Sequence, residues 1–294
     1  MHYLITGGTG FVAQNFIKSI NMDVDQVTIL SRQSNILSSK NYKVIQDLNE
    51  IKSDTKFDVI INLAGSPIDR RWTKEVKQDL LNSRINTTRA AIALIKRLKN
   101  RPSLLISASA IGYYGSHDAM SLDEFSSPKS SFTHDLCKAW EEEANKVKDL
   151  GVRLCITRFG VVLGKNGGFI NKIHLPFKLG LGGRLGNGKQ YFSWIHIDDV
   201  VKGMKYLISQ DDCQGPYNFV APEFVTNAEM TNIVGRTLNR PTCINLPSFL
   251  VKLFFAEMGE ELLLKGNKIQ PARLISDGYK FSYPILSKAL DNIL

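Results

Sequence analysis

Residues 3–20 read Y-L-I-T-G-G-T-G-F-V-A-Q-N-F-I-K-S-I, and the change of period inside this stretch decides the fold. Tyr3, Leu4 and Ile5 form a short apolar run, the pattern of a central parallel strand buried on both faces. Farther on, Val12, Ala13, Phe16, Ile17 and Ile20 recur at helical spacing. Gly7, Gly8 and Gly10 stand at the junction. A strand, glycine turn and helix in this order present backbone N–H groups and a helix N-terminus to an anion, and Gly7 and Gly10 carry no side chain to hold a pyrophosphate off. A tight turn that binds nothing uses the same glycines, but the strand before and the helix after favour a dinucleotide. Gly7, Gly8, Thr9, Gly10, Phe11 and Val12 are therefore the expected cradle. Ala13 takes the third small position, which serves close helix packing.

Outward from the cradle, strand and helix patterns alternate. Gln26 to Leu30 is a second β-rich run ending in Ser31 and Arg32. An NAD site carries an acid roughly 20 residues past the glycines, whereas an Arg there accommodates a 2′-phosphate. No acid follows until Asp47, so Ser31 and Arg32 favour NADP over NAD, against the plainer reading of Arg32 as a solvated loop residue. Tyr42 to Ile45 reads as a third strand. Asp58 to Leu63 is a fourth, ending in Asn62-Leu63-Ala64-Gly65, where small residues at the carboxyl edge let a cofactor approach. A long helix is expected from Thr73 to about Leu98, then a fifth strand from Ser103 to Ser107 and a sixth from Val152 to Phe159. The alternation implies an α/β chain built on a doubly wound parallel sheet.

The totals exclude other classes. A chain of 294 residues, 43% hydrophobic, buries a large core and is neither fibrous nor disordered. No apolar run approaches the ~18 residues of a membrane span and no signal peptide is read, so a cytoplasmic location without membrane contact is expected. Cys137, Cys155, Cys213 and Cys243 form no C-x-x-C pair and the histidines do not cluster, which leaves no metal site to propose and implies reduced thiols. The net charge of +9 is spread without a dense basic block. It is read as attraction for anionic small molecules rather than nucleic acid.

Five motifs in order, T-G-G-T-G-F at 6–11, N-L-A-G at 62–65, S-A-S-A-I-G-Y-Y-G at 107–115, R-F-G-V-V-L-G at 158–164 and S-W-I-H-I-D-D at 193–199, resemble the extended short-chain dehydrogenase/reductases of the NAD(P)-dependent epimerase/dehydratase family. N-L-A-G-S-P-I-D-R-R-W, F-T-H-D-L-C-K-A-W-E and the ending through R-L-I-S-D-G-Y-K-F-S-Y-P narrow the resemblance to a nucleoside-diphosphate-sugar epimerase subgroup with a characteristic C-terminal region. The resemblance implies a Rossmann-type sheet over residues 1–165, rejoined by 191–221, with a smaller substrate-side lobe from 166–190 and 222–294. A homodimer through the two long helices is part of the same expectation.

The family's Ser that holds the substrate oxygen falls on Ser109. Its Tyr-x-x-x-Lys element falls on His134-Asp-Leu-Cys-Lys138, with Lys138 kept and His134 in place of the tyrosine. Positions four apart share a helix face, so His134 and Lys138 can act together; the bland alternative is a solvated face. Histidine can shuttle a proton at neutral pH, and Tyr113 or Tyr114 offers another phenol. Asn86 resembles the superfamily's structural asparagine, and Arg158 is a cofactor or sheet-edge candidate. Arg70, Arg71, Trp72, Tyr113, Gln190 and Trp194 are substrate-side candidates, Gly180 to Gly188 reads as a mobile loop over the cleft, and Asp198 and Asp199 as helix caps. Function is thus expected to be NADP-dependent oxidation, reduction or epimerisation of a small carbonyl or alcohol, or else NADP binding in a scaffold that has lost catalysis.

Overall fold

The structure, a computed structural model, describes residues 1–31, 41–117 and 120–294. Arg32, expected at a 2′-phosphate, lies outside the described residues. Seven parallel strands form one sheet: β1 (His2–Thr6), β2 (Gln26–Leu30), β3 (Tyr42–Ile45), β4 (Val59–Asn62), β5 (Leu104–Ala110), β6 (Arg153–Phe159) and β7 (Gly215–Phe219). Their spatial order is β7-β6-β5-β4-β1-β2-β3. β1 pairs with β2 on one side and β4 on the other, with Ile5 opposite both Ile29 and Ile61. The order reverses between β1 and β4, the point at whose carboxyl edge open α/β sheets take their ligands.

Both faces are covered, which is why the strands are apolar in both phases. Tyr3, Ile5, Ile29, Ile61 and Ile106 pack under α1 (Phe11–Lys18) and α5 (Ile197–Ser209), with Phe16 and Met204 between. Leu4, Ile60, Leu105, Leu154 and Ile156 pack under α2 (Lys74–Arg97) and α3 (Phe132–Asn145), against Ala91, Ile95 and Ala144. Thr73 caps α2 by accepting the Val76 N–H. α2 therefore starts and stops where its cap and its basic end place it.

β5 extends to Ala110 rather than stopping at Ser107, because β6 pairs with it from Leu104 opposite Arg153 to Ala110 opposite Phe159. The S-A-S-A stretch is thus strand, and its serines face into the sheet's helical cover. Asn86 is exposed; Arg84 and Thr88 take the inward places on α2.

A second lobe is packed around α4 (Ile170–Lys178), α6 (Asn227–Leu238) and a final helix at Leu286–Ile293, whereas Met258 of α7 (Ser248–Met258) packs against Trp72, Leu80 and Leu136, and Leu274 joins the core under the main sheet. The segment expected to be a mobile loop is stitched down instead. The Ile244 and Leu246 N–H groups donate to the Gly182 and Arg184 carbonyls, and the Gly186 N–H returns to Leu246. Asp198 and Asp199 do not cap α5: His196 is the cap residue, its Nδ1 accepting the Asp198 N–H. Asp199 is buried, accepting from the Tyr279 hydroxyl at 3.0 Å and the Ser282 and Tyr283 N–H groups at 2.7 and 2.8 Å. One carboxylate thus pins the C-terminal segment to α5. Removing it strands buried donors, so Asp199→Ala should lower stability by about 2–4 kcal/mol in a urea melt; a change under about 0.5 kcal/mol would mean that the segment is held by other contacts.

Candidate active site

Two glycine-lined approaches meet at the sheet's switch point. Gly7 adopts φ +67°, and a Cβ there would lie 2.9 Å from the Leu63 carbonyl carbon and oxygen, so the turn after β1 can close on the end of β4 only as glycine. Thr9 and Gly10 are exposed, and α1 begins at Gly10 with no side-chain cap. The first-turn N–H groups of a helix have no intrahelical acceptor, so this end is open to an anion. Phe11 and Val12 are half-buried, Gly8 is buried against Ile29, and Ser31 is buried with its N–H on the Ile45 carbonyl. Leu63 and Ala64 are half-buried and Gly65 is exposed beside them. The cofactor-side positions that can be described therefore line one edge, apart from Arg158 on β6 and Lys138 on α3.

Arg158 sits on β6 with its guanidinium turned under α3. Its Nε and Nη2 each donate at 2.8 Å to the two Glu141 oxygens, and Nη1 donates at 3.0 Å to the Tyr114 hydroxyl. Burial alone would lower its pKa, but the hydrogen bonds and charge of Glu141 raise it above the usual arginine value. The expected cofactor contact is thus replaced by a buried ion pair, since a cation inside an apolar strand must find its carboxylate there. Glu141 was missed in the sequence. The signals were present: a charge within L-C-I-T-R-F, and an acid one turn beyond Cys137 on the buried face of α3.

Ser109 joins the same cluster. It is 2% exposed, and its hydroxyl donates at 2.6 Å to Glu141 Oε1. Its one proton is committed to the carboxylate, so Ser109 does not donate into an open cleft as the resemblance implied. Tyr114 is also committed: its hydroxyl donates to Asn218, and burial pushes its pKa up to about 12. The adjacent Tyr113 is half-buried, its ring 3.5 Å over the Arg158 guanidinium carbon on one side and edge-on to His134 on the other.

His134 Nδ1 lies 2.5 Å from the Tyr113 carbonyl oxygen. A carbonyl only accepts, so this nitrogen carries a proton, and in the neutral imidazole the lone pair is then on Nε2. Lys138, one turn along α3, is exposed, with Glu142 at 4.0 Å. His134 and Lys138 do share a face, opposite the buried Leu136, Trp140 and Ala144.

The substrate-side candidates divide. Arg70 and Arg71 are exposed after the N-L-A-G turn, with Arg70 paired to Asp79. Trp72 is a buried anchor, its indole N–H on the Ile68 carbonyl and its ring edge-on to Phe132. Trp194 is wholly buried in the second lobe's core, away from any cleft surface. Gln190 spends its amide on the Leu185 and Leu263 carbonyls and braces the loop. Trp72 and Trp194 are thus packing residues, because burial of a large ring outweighs its display, and Gln190 supports a loop, while Tyr113 stays half-buried beside His134.

Comparison with known proteins agrees with this architecture. Residues 3–220 match the NAD dependent epimerase/dehydratase family, and residues 246–293 a domain of unknown function, DUF1731. An epimerase family protein of Staphylococcus aureus strain MW2 is 36% identical over 99% of this chain and 98% of its own. The crystal structure of the human epimerase family protein SDR39U1 with NADPH superimposes with a TM-score of 0.91 at 33% identity, covering 100% of this chain and 99% of that one. A nucleoside-diphosphate sugar epimerase from Corynebacterium glutamicum gives 0.80 at 28% identity, covering 99% of this chain and 57% of that one. With the glycine turn at the switch point and the matched residues spanning most of the sheet, the chain belongs to the NAD dependent epimerase/dehydratase family.

Proposed function

We propose that this chain is an NADP-dependent epimerase or oxidoreductase acting on the carbonyl or secondary alcohol of a small anionic molecule, with a sugar nucleotide as the leading class. The observation that carries the reading is the uncapped N-terminus of α1 behind Gly7 and Gly10. A pyrophosphate fits there because the turn is bare of side chains and the helix end carries partial positive charge. NADP is preferred to NAD on the sequence position of Arg32, with support from the related human protein crystallised with NADPH.

NADP, when bound, supplies the hydride acceptor and donor. The chain's residues supply the rest. Gly7, Gly8, Thr9, Gly10, Phe11 and Val12 hold the pyrophosphate, and Leu63, Ala64 and Gly65 form the wall beside it. Lys138 orients the ribose, and Arg70 and Arg71 attract the substrate's charge. His134 takes or returns the substrate proton at Nε2, whose lone pair is fixed outward by the Nδ1 contact with Tyr113. Ser109 and Arg158 act from below: with Glu141 they hold Tyr113, and through it His134, in place.

A second reading rests on two observations. The Ser109 proton is already spent on Glu141, and a histidine stands where the family's tyrosine would. On that reading the chain binds NADP and acts as a scaffold without turnover.

Calorimetric titration separates the cofactors. NADP should bind at least 10-fold more tightly than NAD, a difference of about 1.4 kcal/mol, and equal or tighter NAD binding would reject the preference. Assayed against a panel of sugar nucleotides, His134→Ala should reduce kcat on the order of 100-fold with NADP affinity unchanged. No turnover on any substrate by wild-type protein that binds NADP tightly would favour the scaffold. Glu141→Ala leaves Arg158 buried without its carboxylate, and should cost about 3–5 kcal/mol in chemical denaturation; a neutral result would show that the pair does not support the site.

A further inference from the structure

Arg84 is 9% exposed, on the inward face of α2. Its Nη1 donates at 3.0 Å to the Leu80 carbonyl and its Nη2 at 3.1 Å to the Ser66 carbonyl. No carboxylate among the described residues pairs with it. Asp79, whose charge it feels, forms its ion pair with Arg70. The Cys137 thiol beside it does not compensate either, because burial pushes that thiol up to about 11 and keeps it neutral. Arginine stays protonated in proteins, so a whole positive charge is held here by two carbonyl dipoles, with no carboxylate among the described residues bonded to it. That differs from Arg158, which is more deeply buried but has both oxygens of Glu141.

The position is specific. Gly65, exposed on the wall of the proposed cofactor cleft, stands beside the guanidinium and leaves it room by having no side chain: a Cβ at Gly65 would stand 3.1 Å from Arg84 Cζ. The Trp140 ring lies 5.3 Å from the same carbon. Cys137 bridges to the reactive end, since its thiol meets Ser109 and the Ala110 backbone N–H as well as the field of Arg84. The sheet's carboxyl edge thus carries an uncompensated cation between the N-L-A-G turn and Ser109.

We propose that Arg84 is an anion subsite for the substrate, taking a carboxylate or phosphate group at the reactive end of the cleft. The proposal rests on the reading of that cleft as an NADP site. A guanidinium with unspent N–H groups recognises such oxyanions by paired hydrogen bonds, and a desolvated cation gains most from a ligand that brings the missing charge.

Thermal unfolding of NADP-saturated protein tests it, at ionic strength held constant with NaCl, with inorganic phosphate and with acetate as probes. One of the two anions should raise Tm over chloride by about 2–4 °C in the wild type, less in Arg84→Lys, and not at all in Arg84→Gln. A rise that persists in Arg84→Gln, or no rise with either anion, overturns the proposal. A rise confined to cofactor-free protein also overturns it, because the anion site would then be the cofactor's own. Failure of NADP itself to raise Tm would sink the cofactor reading separately, and the Arg84 comparison in cofactor-free protein would still be decided by the variants. Should Arg84→Gln not fold, a wild-type crystal soaked with NADP and inorganic phosphate decides: an anion within hydrogen-bond reach of the Arg84 guanidinium supports the subsite, and none there rejects it.

Discussion

The paired hydrogen bonds between Arg158 and Glu141 are the contact on which the candidate site depends. They join β6 to α3 through atoms that are almost wholly buried, with Ser109 of β5 as a third partner on the same carboxylate. Taking both charges out of water costs several kcal/mol each, and only near-ideal geometry recovers it. Here the geometry is bidentate at 2.8 Å on both arms, and the remaining donor reaches Tyr114. The pair therefore contributes less as net stability than as a constraint: neither α3 nor the loop after β5 can shift without exposing an unpaired charge to apolar surroundings.

That constraint reaches the surface through stacked rings. Tyr113 lies over the guanidinium and presents its carbonyl to His134, so the tautomer of an accessible histidine is set by a chain of contacts that begins in the core. The arrangement differs from a tyrosine acting with a lysine one turn on. The lysine position is kept at Lys138, exposed, while the place of the tyrosine is taken by an imidazole oriented from behind by a backbone oxygen. Ser109 becomes part of the foundation.

The fold was legible because it is written in periods. Strands β1 to β4, the capped helix α2 and the glycine turn each follow from local spacing and cap chemistry, and the switch point follows from their order. The capping box at Thr226 and Glu229 is of the same kind. The site was less legible because its decisive pairings are non-local. Nothing near Arg158 in the chain names Glu141 as its partner, and whether Trp194 faces a cleft or a core depends on α6 and the final helix, far along the sequence. Gly180 to Gly188 looked mobile because glycine permits mobility. The hydrogen bonds from residues 244–246 that remove it are invisible until the lobe is assembled.

Arg84 shows the same limit from the other direction. In the sequence it is one basic residue in a helix rich in them, with Lys74, Lys77, Arg89, Lys96 and Arg97 on the same element. Only the tertiary structure distinguishes it, by burying it with no acid paired to it among the described residues. A protein that can satisfy Arg158 with a bidentate carboxylate has the means to compensate a buried arginine, and α2 carries Arg84 to within reach of α3, where one further acid would do so. Cys137 occupies the side of α3 nearest that guanidinium, and it is held neutral. Two buried arginines at one sheet edge, one paired and the other with no carboxylate partner among the described residues, leave a net positive floor beneath the proposed cleft. A floor of that sign lowers the free energy of an anionic ligand more than that of a neutral one of the same shape, by a margin that grows as the cleft excludes water.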